Sequence, residues 1–196
     1  MVNILIVYYS LNGSTLEMAE QIVAGVQGAG ANFTLRTVPK VSTVTEKIAD
    51  DIPPEGPPYI QNEDIKNCDG LLLGSPTRFG NMAAPMKYFI DGLSQDWLQG
   101  TLAGKPAGVF TSASSLHGGH ESTLLTMMIP LLHLGALITG IPYHENPELM
   151  ETSAGGTPYG PSYWVRSNLE MTQEEKKLCY ALGYRVAMIA KRLKNL

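Results

Sequence analysis

Leu71-Leu72-Leu73 constrains this chain more than any other stretch. An uninterrupted apolar run fits a strand buried on both faces, as in a parallel sheet covered by helices. The run leads directly into Gly74-Ser75-Pro76-Thr77-Arg78-Phe79-Gly80-Asn81-Met82 and then into an amphipathic segment. Loops leaving the carboxyl ends of such strands are where open α/β folds put ligands. Any strand-to-helix turn also needs Gly and Pro, so this loop alone reads equally as punctuation or as a site. Recurrence shifts the balance, because two other strand-like runs end in loops rich in hydroxyls and glycine.

The same rhythm runs along the chain. Asn3 to Tyr9 is a β-branched and aromatic run, after which Leu16, Ala19, Ile22, Val23 and Val26 recur at helical spacing up to the Gly28-Ala29-Gly30 stop. Phe33 to Val38 alternates as a second strand. Pro39 to Pro58 carries five prolines and no sustained periodicity, an excursion with at most a short helix near Val44 to Ala49. A weak helix at Asn62 to Asn67 leads into the third strand, Gly70 to Gly74, and a helix over Ala83 to Leu93 follows the loop. Pro106 to Thr111 reads as the fourth strand, Glu121 to Leu134 as a helix kinked or broken at Pro130, and Ala136 to Thr139 as a short fifth strand. Gly140 to Met171 is a Gly- and Pro-punctuated loop of the length that is usually functional or mobile. Thr172 and Glu175 form a capping box for the last helix, whose apolar stripe is Leu178, Leu182, Val186, Ile189 and Leu193. Five strands alternating with helices predict one α/β domain over residues 1–196, a doubly wound five-stranded parallel sheet with helices on both faces.

Composition excludes several classes. A formal charge of −4 with no Lys and Arg cluster argues against nucleic acid. No apolar stretch approaches the roughly 20 residues of a membrane span, and the N-terminus enters a strand without the regions of a signal peptide, so a cytoplasmic location is expected. Cys68 and Cys179 lack CxxC spacing and read as small buried hydrophobes. His117, His120 and Glu121 do not have HExxH spacing, so no metal is expected, and GxSxG is absent.

Chemistry concentrates in the loops. Ser10-Leu11-Asn12-Gly13-Ser14-Thr15 joins the first strand to the first helix. A helix N-terminus offers unpaired N–H groups and a positive dipole end, so hydroxyls beside it make a phosphate cradle; they serve equally as helix caps. The lysine of GxxxxGK[ST] is missing, which suits one terminal phosphate better than a triphosphate, and no GxGxxG follows a strand. The loop from Thr111 through His117 to Glu121 carries hydroxyls and approachable backbone but no fixed charge until its end, which suits a planar ring with a polar edge.

Together SLNGST after the first strand, SPTRFGNM after the third, the HGG loop after the fourth and GGTPYG in the late segment closely resemble the WrbA-type NAD(P)H:quinone oxidoreductases of the flavodoxin-like superfamily. The resemblance covers nearly the whole chain. It implies strand order 2-1-3-4-5, tightly but non-covalently bound FMN, NADH or NADPH as co-substrate, and a quinone reduced to hydroquinone by two electrons in a ping-pong sequence. It also implies a homotetramer, a dimer of dimers whose pockets draw on more than one subunit. A flavodoxin-type FMN electron carrier or an FMN-binding regulatory module without NAD(P)H turnover is the alternative.

Residue by residue, the resemblance puts the FMN phosphate on Ser10, Leu11, Asn12, Gly13, Ser14 and Thr15. Pro76, Thr77, Arg78, Phe79 and Asn81 lie along the isoalloxazine, and Ser112, Ala113, Ser114, Ser115, Leu116, His117 and Gly118 wrap its polar edge. Arg78 is expected to stabilise negative charge on reduced flavin, Trp97 to stack on nicotinamide or quinone, and His133, also at the flavin, to hydrogen-bond a quinone oxygen or supply a proton. Phe79, Tyr143 and Tyr159 are further lining candidates. Without the resemblance, Arg78 reads as a surface arginine, Trp97 as core and His133 as a structurally satisfied histidine. Two departures stand out. Asn12 occupies a position where the family often has an aromatic, and Pro161-Ser162-Tyr163-Trp164-Val165-Arg166-Ser167 replaces a Gly- and Asp-rich stretch, a bulkier and more basic segment expected to narrow the pocket mouth or alter subunit contacts.

Overall fold

Along β1 (Asn3–Tyr8) successive side chains point to opposite faces, so Ile4, Ile6 and Tyr8 enter one apolar core while Leu5 and Val7 enter another. Both faces are therefore covered. The structure, a computed structural model, describes residues 1–41, 53, 56–167 and 169–195; the short helix expected near Val44 to Ala49 lies outside them. After β1 come α1 (Ser14–Gly28), β2 (Asn32–Thr37), α2 (Asn62–Lys66), β3 (Gly70–Arg78), β4 (Asn81–Met82), α3 (Ala84–Asp91) and α4 (Ser94–Gln99). The second half holds β5 (Pro106–Ala113), α5 (His120–His133), β6 (Leu137–Ile138), α6 (Glu148–Glu151), β7 (Ser162–Trp164) and α7 (Gln173–Lys194).

The central ladder runs β2-β1-β3-β5-β6, every pair parallel. Setting aside the short strands β4 and β7, this is the expected order 2-1-3-4-5. Helices α1 and α7 cover one face through Met18, Ile22, Leu178, Leu182 and Val186. Ile65 of α2, Met86 and Ile90 of α3 and Leu124, Met127 and Leu131 of α5 cover the other. Helices α1 and α7 meet backbone to backbone, because a Cβ on Gly25 would run into the Tyr180 carbonyl and one on Gly183 into the Ile22 carbonyl.

Four elements differ from the sequence expectation. The third strand does not stop at Gly74: it continues through Ser75-Pro76-Thr77-Arg78, with Pro76 in register with Ser112, and then turns back as antiparallel β4. The helix expected over Ala83 to Leu93 is α3, which Gly92 closes with its N–H on the Tyr88 and Phe89 carbonyls, and a further short helix that was not expected, α4, follows it and carries Trp97. The late segment is not all loop. Its β7 pairs with β5 at Thr111 to Ala113, while β6 pairs with β5 at Pro106 and Ala107, so the edge strand is one discontinuous row interrupted by residues 139–161. Helix α5 runs unbroken through Pro130.

Candidate active site

Three segments distant in sequence converge at the carboxyl ends of β1, β3 and β5, beside the point where the strand order reverses. Ser10, Leu11, Asn12, Ser14 and Thr15 line one side of a cavity of about 270 Å³; Pro76, Thr77 and Arg78 line the second and Ser112, Ala113 and Ser114 the third. Val165, just after β7, contributes the remaining wall.

The first loop is built around Gly13, the N-cap of α1, whose φ of 89° is left-handed and whose missing Cβ leaves open space. No side chain caps the helix, so the capping alternative for Ser14 and Thr15 does not hold. Thr15 Oγ1 instead shares a buried hydrogen bond of 3.1 Å with Ser112 Oγ, tying the start of α1 to the end of β5. Ser10 Oγ is buried and has no hydrogen-bond partner among the described residues. A buried hydroxyl left unpaired costs about 1–3 kcal/mol. That orphan, beside a helix N-terminus with no Lys or Arg in residues 10–15, is a donor set suited to a phosphate oxygen.

The second wall is held from below. Ser75 Oγ accepts the Ala83 N–H at 2.8 Å, Thr111 Oγ1 donates to the Ser75 carbonyl at 2.8 Å, and Thr77 and Thr123 hydroxyls lie 2.8 Å apart. Beyond Arg78 the chain reverses through Phe79 (φ 53°) and Gly80 (φ 77°), the positive pair that a two-residue hairpin requires. A β-hairpin tip with Phe in the left-handed region is strained, and such strain persists only where the surroundings impose it. Here Gly119 at the start of α5 packs so closely that its Cβ would lie 2.8 Å from Gly80 Cα. Phe79 stands fully exposed, and Arg78, also exposed, donates from one guanidinium nitrogen to its neighbour's carbonyl on Thr77 at 2.8 Å.

The wall formed by Val165 depends on a buried carboxylate. Glu175 Oε1 accepts the N–H groups of Gly155 (2.8 Å) and Trp164 (2.9 Å), and Oε2 accepts that of Thr172 (2.8 Å). The expected capping box is therefore present, and the same side chain fastens β7 against β5. Within the divergent segment, Tyr163 turns into the core beside α1 and α7, Arg166 lies 4.9 Å over the Trp164 ring, and Val165 reaches the cavity.

The remaining expected residues lie elsewhere. Trp97 is half-exposed on α4, so it is not the core residue its position suggests, and its ring stacks on His133 at 5.6 Å and 27°. Both line a second, mostly apolar cavity of about 560 Å³ together with Asn81, Ile90, Ile129 and Pro130. Arg78 and Asn81 pair across the hairpin yet line different cavities. Leu116 and His117 line a crevice of about 220 Å³ against residues Thr152 to Thr157, and Ser115 and Gly118 close a turn through the Gly118 N–H on the Ser115 carbonyl. Tyr143 and Tyr159 line none of these three cavities. Cys68 and Cys179 are buried free thiols; burial pushes Cys68 up to about 11 and Cys179 well above its usual value, so neither is a thiolate at neutral pH. Among the described residues no cluster of three or more His, Cys, Asp or Glu is placed to hold a metal, and no helix is long and apolar enough to cross a membrane. Sequence reasoning marked Val165 only as part of the divergent segment expected at the pocket mouth, and missed Thr123 and the wiring of Glu175. The capping-box spacing was the one signal for Glu175, and nothing local marked Thr123.

Residues 2–142 match the family model of NADPH-dependent FMN reductases. Among curated relatives, the NAD(P)H dehydrogenase (quinone) of Geobacter sulfurreducens is 40% identical, covering 97% of this chain and 98% of that protein. Proteins of the same name from Solidesulfovibrio magneticus and Methanosarcina barkeri are each 35% identical, covering 98% of this chain and 99% of theirs. The fold is similar to that of a WrbA-like flavodoxin from Agrobacterium tumefaciens, with TM-score 0.70, 22% identity and coverage of 98% and 99% of the two chains. It is also similar to a flavodoxin from the domain Archaea, at TM-score 0.65, 18% identity and coverage of 97% and 99%.

Proposed function

The chain belongs to the NADPH-dependent FMN reductase family, and from that premise we propose an FMN-dependent NAD(P)H:quinone oxidoreductase of the WrbA type. The observation that carries this reading is the convergence of Ser10 to Thr15, Pro76 to Arg78 and Ser112 to Ser114 on one cavity that contains an orphaned, buried serine hydroxyl. These residues fit FMN: the first-turn N–H groups of α1 with Ser10, Ser14 and Thr15 would hold the phosphate, and the hydroxyl-rich ends of β3 and β5 would hold the ring. The chemistry such a flavin would supply is transfer of a hydride equivalent from NADH or NADPH and of two electrons onward to a quinone.

The chain's own residues supply binding, orientation and charge. Pro76, Ala113 and Val165 keep water from the ring, which strengthens electrostatics inside the site. The Arg78 guanidinium lines the cavity, where it would stabilise negative charge developing on the reduced cofactor. Trp97 stacks on the flat substrate and His133, packed against it, donates a hydrogen bond or a proton to the quinone oxygen. These two side chains line a different cavity from Arg78, which supports the reading that they serve the flavin of another subunit in a homotetramer of two dimers. The exposed apolar side chains Phe79, Tyr88, Leu98, Ile129 and Leu132, on the hairpin and on α3 to α5, support that arrangement. A cytoplasmic location accords with two free, buried thiols.

Anaerobic addition of NADH or NADPH to the FMN-loaded protein tests this, followed by benzoquinone. Bleaching of the flavin spectrum and its return on quinone addition are expected. A flavin that pyridine nucleotides leave oxidised refutes the enzyme in favour of an electron carrier or regulatory module; no flavin uptake refutes all three.

A further inference from the structure

Resting on the FMN reading of the cavity, we propose that His120 is the residue that positions the Ser114 to Gly118 loop for the cofactor, and that it does so as a neutral imidazole. His120 opens α5 and is only 3% exposed. Its Nε2 lies 3.1 Å from the Ser115 carbonyl oxygen. A carbonyl only accepts, so Nε2 carries the hydrogen and, in the neutral ring, Nδ1 carries a lone pair. Nδ1 is buried with no partner among the described residues.

This tautomer has a consequence for the loop. Ser115 and the exposed residues around it have little else to hold them: among the described residues, the one backbone bond there is from Gly118 N–H to the same Ser115 carbonyl. The loop begins at Ser112 and Ser114, which line the proposed flavin cavity, and ends at Gly119, which packs on Gly80 of the Arg78 hairpin. His120 therefore anchors the middle of a segment whose first end lines the site and whose second packs on the hairpin that carries Arg78. A second proton would put an N–H on buried Nδ1 with no acceptor and a cation at the positive end of α5, both unfavourable. Burial holds the imidazole below its ordinary pKa; the Ser115 bond and the carboxylates of Glu121 and, from α7, Glu175 oppose that, and His117 in the same loop adds to it. Stability that comes from a neutral His120 is present above the ordinary imidazole value and is lost as pH falls through the lowered one.

The test is titration of the apoprotein with FMN, read by flavin fluorescence quenching near pH 8 and near pH 5, for wild type, His120→Gln and His120→Leu. Gln keeps an N–H donor near the Nε2 position and cannot titrate. Wild-type affinity is expected to fall more steeply with acid than that of His120→Gln, by up to about tenfold per pH unit below the imidazole pKa. The titration of the FMN phosphate is common to both and cancels. Near pH 8, His120→Gln should match wild type within about threefold, while His120→Leu should bind about three- to tenfold more weakly. The proposal fails if wild type and His120→Gln share one pH dependence, or if His120→Leu binds as wild type does. Should His120→Leu not fold, by circular dichroism, the comparison with His120→Gln decides alone. No FMN uptake by wild type would overturn the cofactor reading and this proposal with it.

Discussion

Replacing Glu175 with Ala should destabilise the apoprotein far more than loss of a helix cap would. The side chain is 0% exposed and no cation pairs with it among the described residues, so its partners are the N–H groups of Gly155, Trp164 and Thr172 alone. Glu175→Ala strands all three. Each lost acceptor costs about 1–3 kcal/mol when the donor stays dry, water entering the vacated space relieves part of that, and release of a desolvated carboxylate offsets more. The net expectation is about 3–5 kcal/mol. Glu175→Gln keeps Oε1 on Gly155 and Trp164 but turns an amide N–H toward that of Thr172, for about 1–2 kcal/mol. Thr172→Ala removes only the other half of the capping box, at about 1 kcal/mol. Urea denaturation measures the three values, and a chain of this size should lose roughly 2–4 °C in Tm per kcal/mol. Hydrogen exchange adds a local readout: the Trp164 amide, on β7, should lose protection in Glu175→Ala and keep it in Thr172→Ala. The reasoning is refuted if Glu175→Ala costs no more than Thr172→Ala, because the carboxylate would then be a cap and not the fastening of β7.

Ser10→Ala should leave the apoprotein as stable as wild type or slightly more so, since it deletes an unpaired buried hydroxyl, while FMN binds about three- to tenfold more weakly; urea midpoints and fluorescence titration check the two halves. Gly25→Ala and Gly183→Ala each drive a methyl into a carbonyl of the opposite helix and should cost at least about 2 kcal/mol in urea denaturation, with the secondary structure of any folded fraction unchanged. Arg78→Ala should slow anaerobic reduction by NADH roughly tenfold and lower the flavin midpoint potential; unchanged rate and potential would remove the electrostatic role. Mixed assemblies of Arg78→Ala and His133→Ala subunits should turn over faster than either variant alone, because the two side chains line different cavities; failure to complement would place both in one subunit's site.

Much of the architecture was legible in residue order because it is written locally. Apolar runs such as Ile4 to Val7 and Leu71 to Leu73 can only be buried on both faces, helical spacing marks α1 and α7, and Thr172 with Glu175 announces a helix start. The loops after β1, β3 and β5 stood out for the same reason, since their hydroxyls and glycines interrupt those runs. Pairing across distance was not legible. Ser162 to Trp164 is too short to declare itself a strand and becomes one because β6 leaves the upper half of β5 unpaired and Glu175 holds the Trp164 N–H in place. Phe79 shows no preference for a left-handed turn; the packing of Gly80 against Gly119 imposes it. Trp97 and His133 are 36 positions apart and meet only because α4 and α5 share one side of the sheet, away from the cavity that Arg78 lines. Sequence alone thus determined which loops leave the carboxyl ends of the buried strands with hydroxyls and glycines to offer, since helix ends and buried strands are local matters. Tertiary structure decided which side chains reach the same space, because long-range packing determines that and no local pattern encodes it.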